Sequence, residues 1–535
     1  MEQKNRQWLQ KMDEIYNILE KISVKFVLTV CMLIGCAFAI GSGISSNAFP
    51  ANYSKEMAKA GPDSLLINIV AFIGWVLLVW GLYKLLSLGV KEDEEKLQKR
   101  LHILVIILCI LLGAALTVWI YIAHYTMTGD QWIVYSTTLE FTEGDYFEML
   151  PAQYIFYYPH QLSMVFVYQI LFSVFHTQSY RLLQYINIIS IMLTAYFGYR
   201  IVKEITVKPV IQIGYIMFSF TFIPMLLYSQ FVYSDMFVLA MANIGIWALL
   251  RWLRHKRVRY GVIMVLTVLL GSLVRLNYGV ILIAMSIGLL YHAVKTRCWR
   301  SLLVIVLCVA VSQGPLPFIK MYYEKKSELD VCPGLPMSYR LYSAMEDNPD
   351  GPGTYTNRLI IDFIEIAELD YEYFDQIFKA ALEDRKQYFL ENPDKALDFY
   401  GRKLMQQWND HTFSSAYATH RVDGKQMGDF EQSVYYGSIK SFCDWHMDRY
   451  LFVLYLSFAA GTAALWKQKR ELSCYISLIA IIGGFLFSIL FETKGRYVMP
   501  YVILMQPFAA MGLEWILLRF EYAAKTISAK VLKKA

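Results

Sequence analysis

Apolar residues in this chain are gathered into blocks long enough to cross a lipid bilayer, and no other feature of the sequence limits the fold so tightly. The blocks at 26–44, 65–88, 101–123, 210–227, 236–250, 302–311, 450–466, 475–490 and 498–518 mostly approach the roughly 20 residues that a helix needs to span a hydrocarbon core of about 30 Å. Backbone N–H and C=O groups find no partner in lipid except each other, so such blocks must be helical. Composition agrees with this reading. Of 535 residues, 56% are hydrophobic and only 18% charged, with a mean hydropathy of +0.38, a balance that excludes a water-soluble protein of this size. The net charge of +6 sits mainly in short loops, where it reports orientation and not affinity for nucleic acid.

Basic clusters at 91–100, 200–208, 251–259, 295–300, 467–470 and 519–534 all fall on the cytoplasmic side by the positive-inside rule. From a cytoplasmic N-terminus, three spans bring the chain outside at His124, and an odd number of crossings must follow before Arg200. Two apolar blocks compete for that crossing. The block at 162–175 is short and is flanked or interrupted by His160, Gln161 and Gln169, which suits a helix lying in the membrane interface; the block at 182–202 is the expected span. The stretch 260–293 begins and ends at basic loops but holds Arg275-Leu276-Asn277 at its centre. It reads as a hairpin of two short crossings with the polar triplet in the outer half of the membrane. The expected fold is an all-α polytopic protein of the cell membrane with about 12 transmembrane helices and both termini cytoplasmic.

The expected organisation has five parts. Residues 1–24 form a cytoplasmic amphipathic N-terminus, either an interfacial helix or a frayed solvated tail, and no small-residue cleavage pattern marks the first block as a signal. Residues 25–319 form a transmembrane region with an outer loop at 124–181, 320–448 a mainly helical extracytoplasmic domain, 449–518 the C-terminal transmembrane helices and 519–535 a basic cytoplasmic tail. The 320–448 stretch carries 23 acidic and 14 basic residues. Of the eight cysteines, six lie in apolar spans or a basic loop and read as small hydrophobes. Cys332 and Cys443 flank the polar domain, which leaves open a disulfide at its base.

No metal-ligand spacing, P-loop or nucleophile elbow is present. The informative residues are polar ones at the outer membrane edge, in four groups. In the first outer loop, Asp130 and Asp145 can each serve as a general base towards a hydroxyl. Equally, Asp130 can cap a helix after Gly129 and Asp145 can occupy a turn after Gly144. His160 and Gln161 close that loop as candidate substrate contacts. Tyr233-Ser234-Asp235 forms the second group, with Asp235 placed to cap the next helix. Arg275 with Asn277 is the third; a guanidinium inside an apolar hairpin needs a partner, for which a phosphate is well matched, or must snorkel to the interface. The fourth, Glu492-Thr493-Lys494-Gly495-Arg496-Tyr497, places two cations in an outer loop, where the positive-inside rule expects few, and suggests an anion site or head-group contacts.

In order, Asp130, Gly144-Asp145-Tyr146, Tyr158-Pro159-His160-Gln161, Tyr233-Ser234-Asp235, Arg275-Leu276-Asn277 and Glu492 to Tyr497 ahead of Pro500 resemble the GT-C glycosyltransferase superfamily. The likeness is to its bacterial, Gram-positive-type branch, distantly similar to protein O-mannosyltransferases and aminoarabinose transferases, and runs from about residue 100 to 520. The resemblance implies transfer of a sugar from a polyprenyl-phosphate donor to a surface glycan, glycolipid or protein acceptor at the outer leaflet, with inversion. It implies Asp130 as the base, Arg275 and Arg496 on the departing phosphate, and Asp145, His160 and Asp235 around the sugar or acceptor. Where several relatives have an acidic pair, this chain has Asp130-Gln131. That departure weakens a divalent metal, which stays an option without a ligand set, and leaves Asp145 as a rival base. The sequence leaves two other readings standing: a transporter or flippase for a lipid-linked saccharide, and a membrane scaffold that binds wall polymer.

Overall fold

The computed structural model describes residues 2–48, 59–89, 93–355, 364, 368–420, 427–468 and 471–532. Over these residues the chain is helical almost throughout; β-structure amounts to two antiparallel two-stranded pieces, Ser45–Ala48 with Lys59–Pro62 and Asp347–Asn348 with Gly351–Pro352. Among the described residues nine helices are long and apolar enough to cross a membrane, and three shorter apolar helices, Pro209–Phe220, Val258–Val274 and Ile476–Leu490, accompany them. Large apolar side chains such as Leu66, Val70, Leu111, Val118 and Ile283 point outward. In water each would forfeit the roughly 1.5–3 kcal/mol that burial of such a side chain provides; facing lipid they incur no such penalty, as expected of a multi-pass membrane protein.

The centre of the bundle is built by Ser438–Trp466 packed on Gly495–Leu532, with Glu2–Ile44 against the former. The first two cross at glycines. A Cβ on Gly461 would lie 2.0 Å from the Phe508 carbonyl oxygen and one on Gly512 1.8 Å from that of Ser457, so only residues without a side chain allow the backbones to meet. Glu2–Ile44 is one unbroken helix, and the boundary expected after residue 24 therefore falls inside it.

The interfacial candidate is a helix with the expected bounds, Leu162–Phe175, followed by a left-handed His176 and the longer Arg181–Ile205. The apolar stretch around Arg275 is broken as expected: Val258–Val274 ends there, Leu276–Tyr278 makes a 3-10 turn, and Gly279–Thr296 continues. In the polar stretch, Tyr371–Glu391 stops at Asn392 and Pro393–Trp408 restarts, because proline fits the first turn of a helix but cannot continue one. A small separate core of Tyr157, Leu335, Tyr339, Phe374 and Phe378 joins this stretch to the 157–161 segment. Cys332 and Cys443 are both free. Cys332 sits beside Gly334, above the 157–159 backbone, whereas Cys443 lines a cavity among Leu112, Ile223 and Phe430. The disulfide left open by the sequence is not formed.

Candidate functional site

Gly129 adopts φ +60°, a conformation glycine takes without steric cost, and turns the chain into the helix Asp130–Glu143. Asp130 therefore occupies the first helical position, where a carboxylate is favoured by the positive end of the helix dipole. Its side chain is 44% exposed, and its Oδ2 lies 3.7 Å from Nη2 of Arg496. Arg496 is itself buried, with its guanidinium 5.4 Å from the ring centres of both Tyr233 and Tyr497.

Arg275 approaches the same two rings at 5.2 and 5.7 Å. Two guanidinium groups thus share the faces of Tyr233 and Tyr497, an arrangement that attracts cations to aromatic rings and holds them in place. Arg275 meets Asp235, whose Oδ1 accepts from its Nη2. This corrects two expectations. Asp235 is not the helix cap, because Ser234, at φ +67°, precedes the helix and Asp235 is its first residue. Nor does Arg275 wait for a phosphate or snorkel alone: a carboxylate 40 positions away in sequence accompanies it into the apolar hairpin. The second oxygen of Asp235 and Oδ1 of Asn277 are buried with no hydrogen-bond partner among the described residues.

Gln161 donates to the Tyr233 hydroxyl at 2.6 Å and fixes that ring from the side of the first outer loop, while the Tyr154 and Tyr233 hydroxyls lie 3.1 Å apart. Burial, with Arg340, Arg275 and Lys320 nearby, pushes the His160 imidazole pKa down to about 3, so His160 is a neutral hydrogen-bonding group at neutral pH. On the opposite wall Lys494 lies 3.3 Å from Glu492 and 5.7 Å from the Tyr355 ring centre. Thr493 is tied to the Pro352-Gly353 turn by N–H to Gly353 O at 2.8 Å and Oγ1 to Pro352 O at 2.7 Å. Beneath it the fully buried Lys403 donates to Ala344 O at 2.6 Å and Ile489 O at 3.0 Å. Burial pushes its amine down to about 7, with the Glu492 charge opposing that shift.

These walls enclose a cavity of about 550 Å³ lined by seven of the residues singled out in the sequence: His160, Gln161, Tyr233, Arg275, Asn277, Glu492 and Tyr497. Asp130 and Arg496 flank it through Tyr233 and Tyr497. Asp145 does not join them. It is exposed, its Oδ1 accepts from the Phe147 N–H in the turn after Gly144, and the 14-residue helix between it and Asp130 is about 21 Å long at 1.5 Å per residue. The two carboxylates cannot serve one reacting atom.

Sequence reasoning missed Lys320, Arg340 and Tyr355, which also line the cavity. Among the described residues neither Lys320 nor Arg340 has a carboxylate within 4 Å. No group of three His, Cys, Asp or Glu that could hold a metal ion occurs among the described residues. Gln131, in the position of the second acid, is turned inward, its Oε1 accepting from Tyr125 OH and Val232 N. Among the described residues the site therefore offers three carboxylates, each beside a cation, namely Asp130 by Arg496, Asp235 on Arg275 and Glu492 by Lys494, together with many hydroxyls, and these acids do not gather into a ligand set. Comparison with protein-family models gives no match, and comparison with curated protein sequences gives none either.

Proposed function

We propose that the chain is a GT-C-type glycosyltransferase that moves a sugar from a polyprenyl-phosphate donor to a hydroxyl acceptor at the outer leaflet. The observation that carries this reading is the cavity in which Arg275, Arg340 and Lys320 face one space beside the Asp130–Arg496 pair. Arg340 and Lys320, which have no carboxylate within 4 Å among the described residues, favour an anionic ligand in a cavity whose third cation, Arg275, is already paired with Asp235, and a guanidinium fork suits phosphate. The wall of hydroxyls and aromatic rings from Tyr158, Tyr233, Tyr339, Tyr355 and Tyr497 suits a sugar. The topology that accompanies the proposal counts nine long and three short apolar helices as twelve crossings, with both termini cytoplasmic and the cavity on the outer side.

In the reaction the acceptor hydroxyl gives its proton to Asp130 as its oxygen attacks the anomeric carbon. The bond from that carbon to the phosphate oxygen breaks, and the bonding pair leaves with the polyprenyl phosphate. Attack opposite the leaving group inverts the anomeric centre. Protonation of Asp130 removes the negative charge beside Arg496, so the guanidinium becomes available while charge accumulates on the phosphate, which is when stabilisation lowers the barrier. Arg340 and Lys320 bind the same phosphate in ground and transition state alike. Arg340→Ala should therefore raise KM for the donor, by about tenfold for a loss near 1.5 kcal/mol, with a smaller change in kcat. The test is to offer purified protein a panel of polyprenyl-phosphate sugars with membrane extract as acceptor source. Transfer of labelled sugar with release of polyprenyl phosphate supports the proposal; absence of release with every donor overturns it.

A further inference from the structure

A second cavity, of about 260 Å³, lies apart from the first, between the end of the Glu94–Ile122 helix, the turn at Ile223–Leu227 and the start of the Ser438–Trp466 helix. Its walls are apolar, with Leu112, Leu116, Leu226 and Met447 among them. Leu112 and Trp119 are seven residues apart on one helix, which at 1.5 Å per residue makes the cavity about 10 Å deep along the bundle axis. Ala115 lines it and is also exposed, next to the outward-facing Leu111, Val118 and Ile122. The mouth therefore opens on the lipid-facing side of that helix.

Three polar side chains are out of place here. The indole Nε1 of Trp119, Nδ1 of His411 and Oγ of Ser415 are buried with no hydrogen-bond partner among the described residues, and all three residues line the cavity. The His411 side chain is only 4% exposed, and its Nε2 lies 3.3 Å from Asp444 Oδ1. Leaving a buried polar group unsatisfied costs about 1–3 kcal/mol, and three in one largely apolar cavity mark a place where a ligand oxygen completes the bonds. Asp444 faces both Lys440 and His411 Nε2, so His411 donates from Nδ1 as an imidazolium; the two cations are balanced by Asp444 with Asp448 and Asp410 close by, which disfavours a phosphate. The volume is below the roughly 300–1,000 Å³ that encloses a whole small ligand, so what enters is one limb of a larger molecule whose remainder stays in the bilayer.

We infer that this cavity binds one acyl chain of a bilayer glycerolipid, with the ester carbonyl accepting from Trp119 and His411. The site is independent of the transferase reading. Next to it, the Asp410–Ser415 turn carries two consecutive non-glycine residues in the left-handed region, Phe413 at φ +48° and Ser414 at φ +59°. That turn borders the second cavity through His411, Thr412 and Ser415, and touches the 492–497 loop at Gly495, where an added Cβ would lie 2.3 Å from Asp410 Oδ2. A lipid in the cavity would thus contact the turn that supports Arg496.

The test uses the full chain in nanodiscs of phosphatidylglycerol carrying a diazirine on one acyl chain, irradiated and mapped by peptide mass spectrometry. Adducts should concentrate at 112–119 and 434–447 and be lost in Ala115→Trp, which fills the mouth from an exposed position, and in Leu226→Phe, which narrows the cavity from the other wall. Adducts spread evenly over the lipid-facing helices and unchanged in both variants would overturn the site. Displacement by an equimolar short-chain quinone or polyprenyl phosphate would overturn the choice of glycerolipid.

Discussion

Asp235 and Arg275 form an ion pair with side chains only 6% and 13% exposed, and neither residue alone would be tolerated there. Breaking such a pair leaves one charge without compensation, which costs about 3–5 kcal/mol. Asp235→Asn should lower thermal stability in detergent by that order, whereas replacing both residues together by Asn and Met should restore most of it; an unchanged melting temperature in the single variant would contradict the pairing. Lys403 gives a pH test. Its folded amine titrates near 7, below the roughly 10.4 of an unfolded lysine, so between those values the unfolded chain binds the extra proton. Stability should then rise with pH from about 7 to about 10, by up to about 1.4 kcal/mol per pH unit from this group. The rise should be smaller in Lys403→Met, and an identical slope in both proteins would refute the assignment. At this scale the sequence was half legible. Arg275 stood out because lipid excludes charge, Arg496 because the positive-inside rule was broken, and Asp130 and Tyr233 because they are polar groups at the outer edge of the membrane. Lys320 and Arg340 did not, since a cation near a charged, water-exposed stretch looks ordinary until the fold turns it towards a cavity.

At the scale of elements, the helix Leu162–Phe175 and the break at Arg275 were readable because length and a polar interruption are local properties. The pairing of Asp235 with Arg275 was not, because it joins two helix ends through space. The same holds for the glycine crossing of Ser438–Trp466 with Gly495–Leu532, which carries Arg496 and Tyr497 at its top. Gly512→Ala puts a methyl against a backbone carbonyl that no rotamer change can move, and overpacking costs about 1–3 kcal/mol. A loss of at least that size is expected by thermal unfolding, together with reduced activity as the 492–497 loop shifts. Gly401 is the contrast: it lies in the Pro393–Trp408 helix with nothing within 4 Å of an added Cβ. Gly401→Ala should stabilise by up to about 1 kcal/mol. Equal effects at the two glycines would mean that the helices do not cross as closely as described.

For the whole molecule, composition and block length already pointed to a membrane bundle, and the described helices agree with it. What neither length nor charge could assign was which cations and carboxylates meet, because the cavity draws on segments from residues 158 to 497. The proposed orientation predicts that single cysteines at Gln178 and Val207, both exposed and introduced into a cysteine-free chain, react with a membrane-impermeant maleimide from opposite sides of intact cells or vesicles. Labelling of both from one side would refute the crossing at 181–205. The proposed chemistry is tested by a paired transfer assay on wild type and Asp130→Asn that follows labelled sugar into acceptor and release of polyprenyl phosphate together. One-for-one coupling is expected in wild type and a fall of about a hundredfold to ten-thousandfold in Asp130→Asn, with melting temperature and donor binding retained. Undiminished transfer by Asp130→Asn, or movement of intact lipid-linked sugar across the bilayer without release of polyprenyl phosphate, would contradict it.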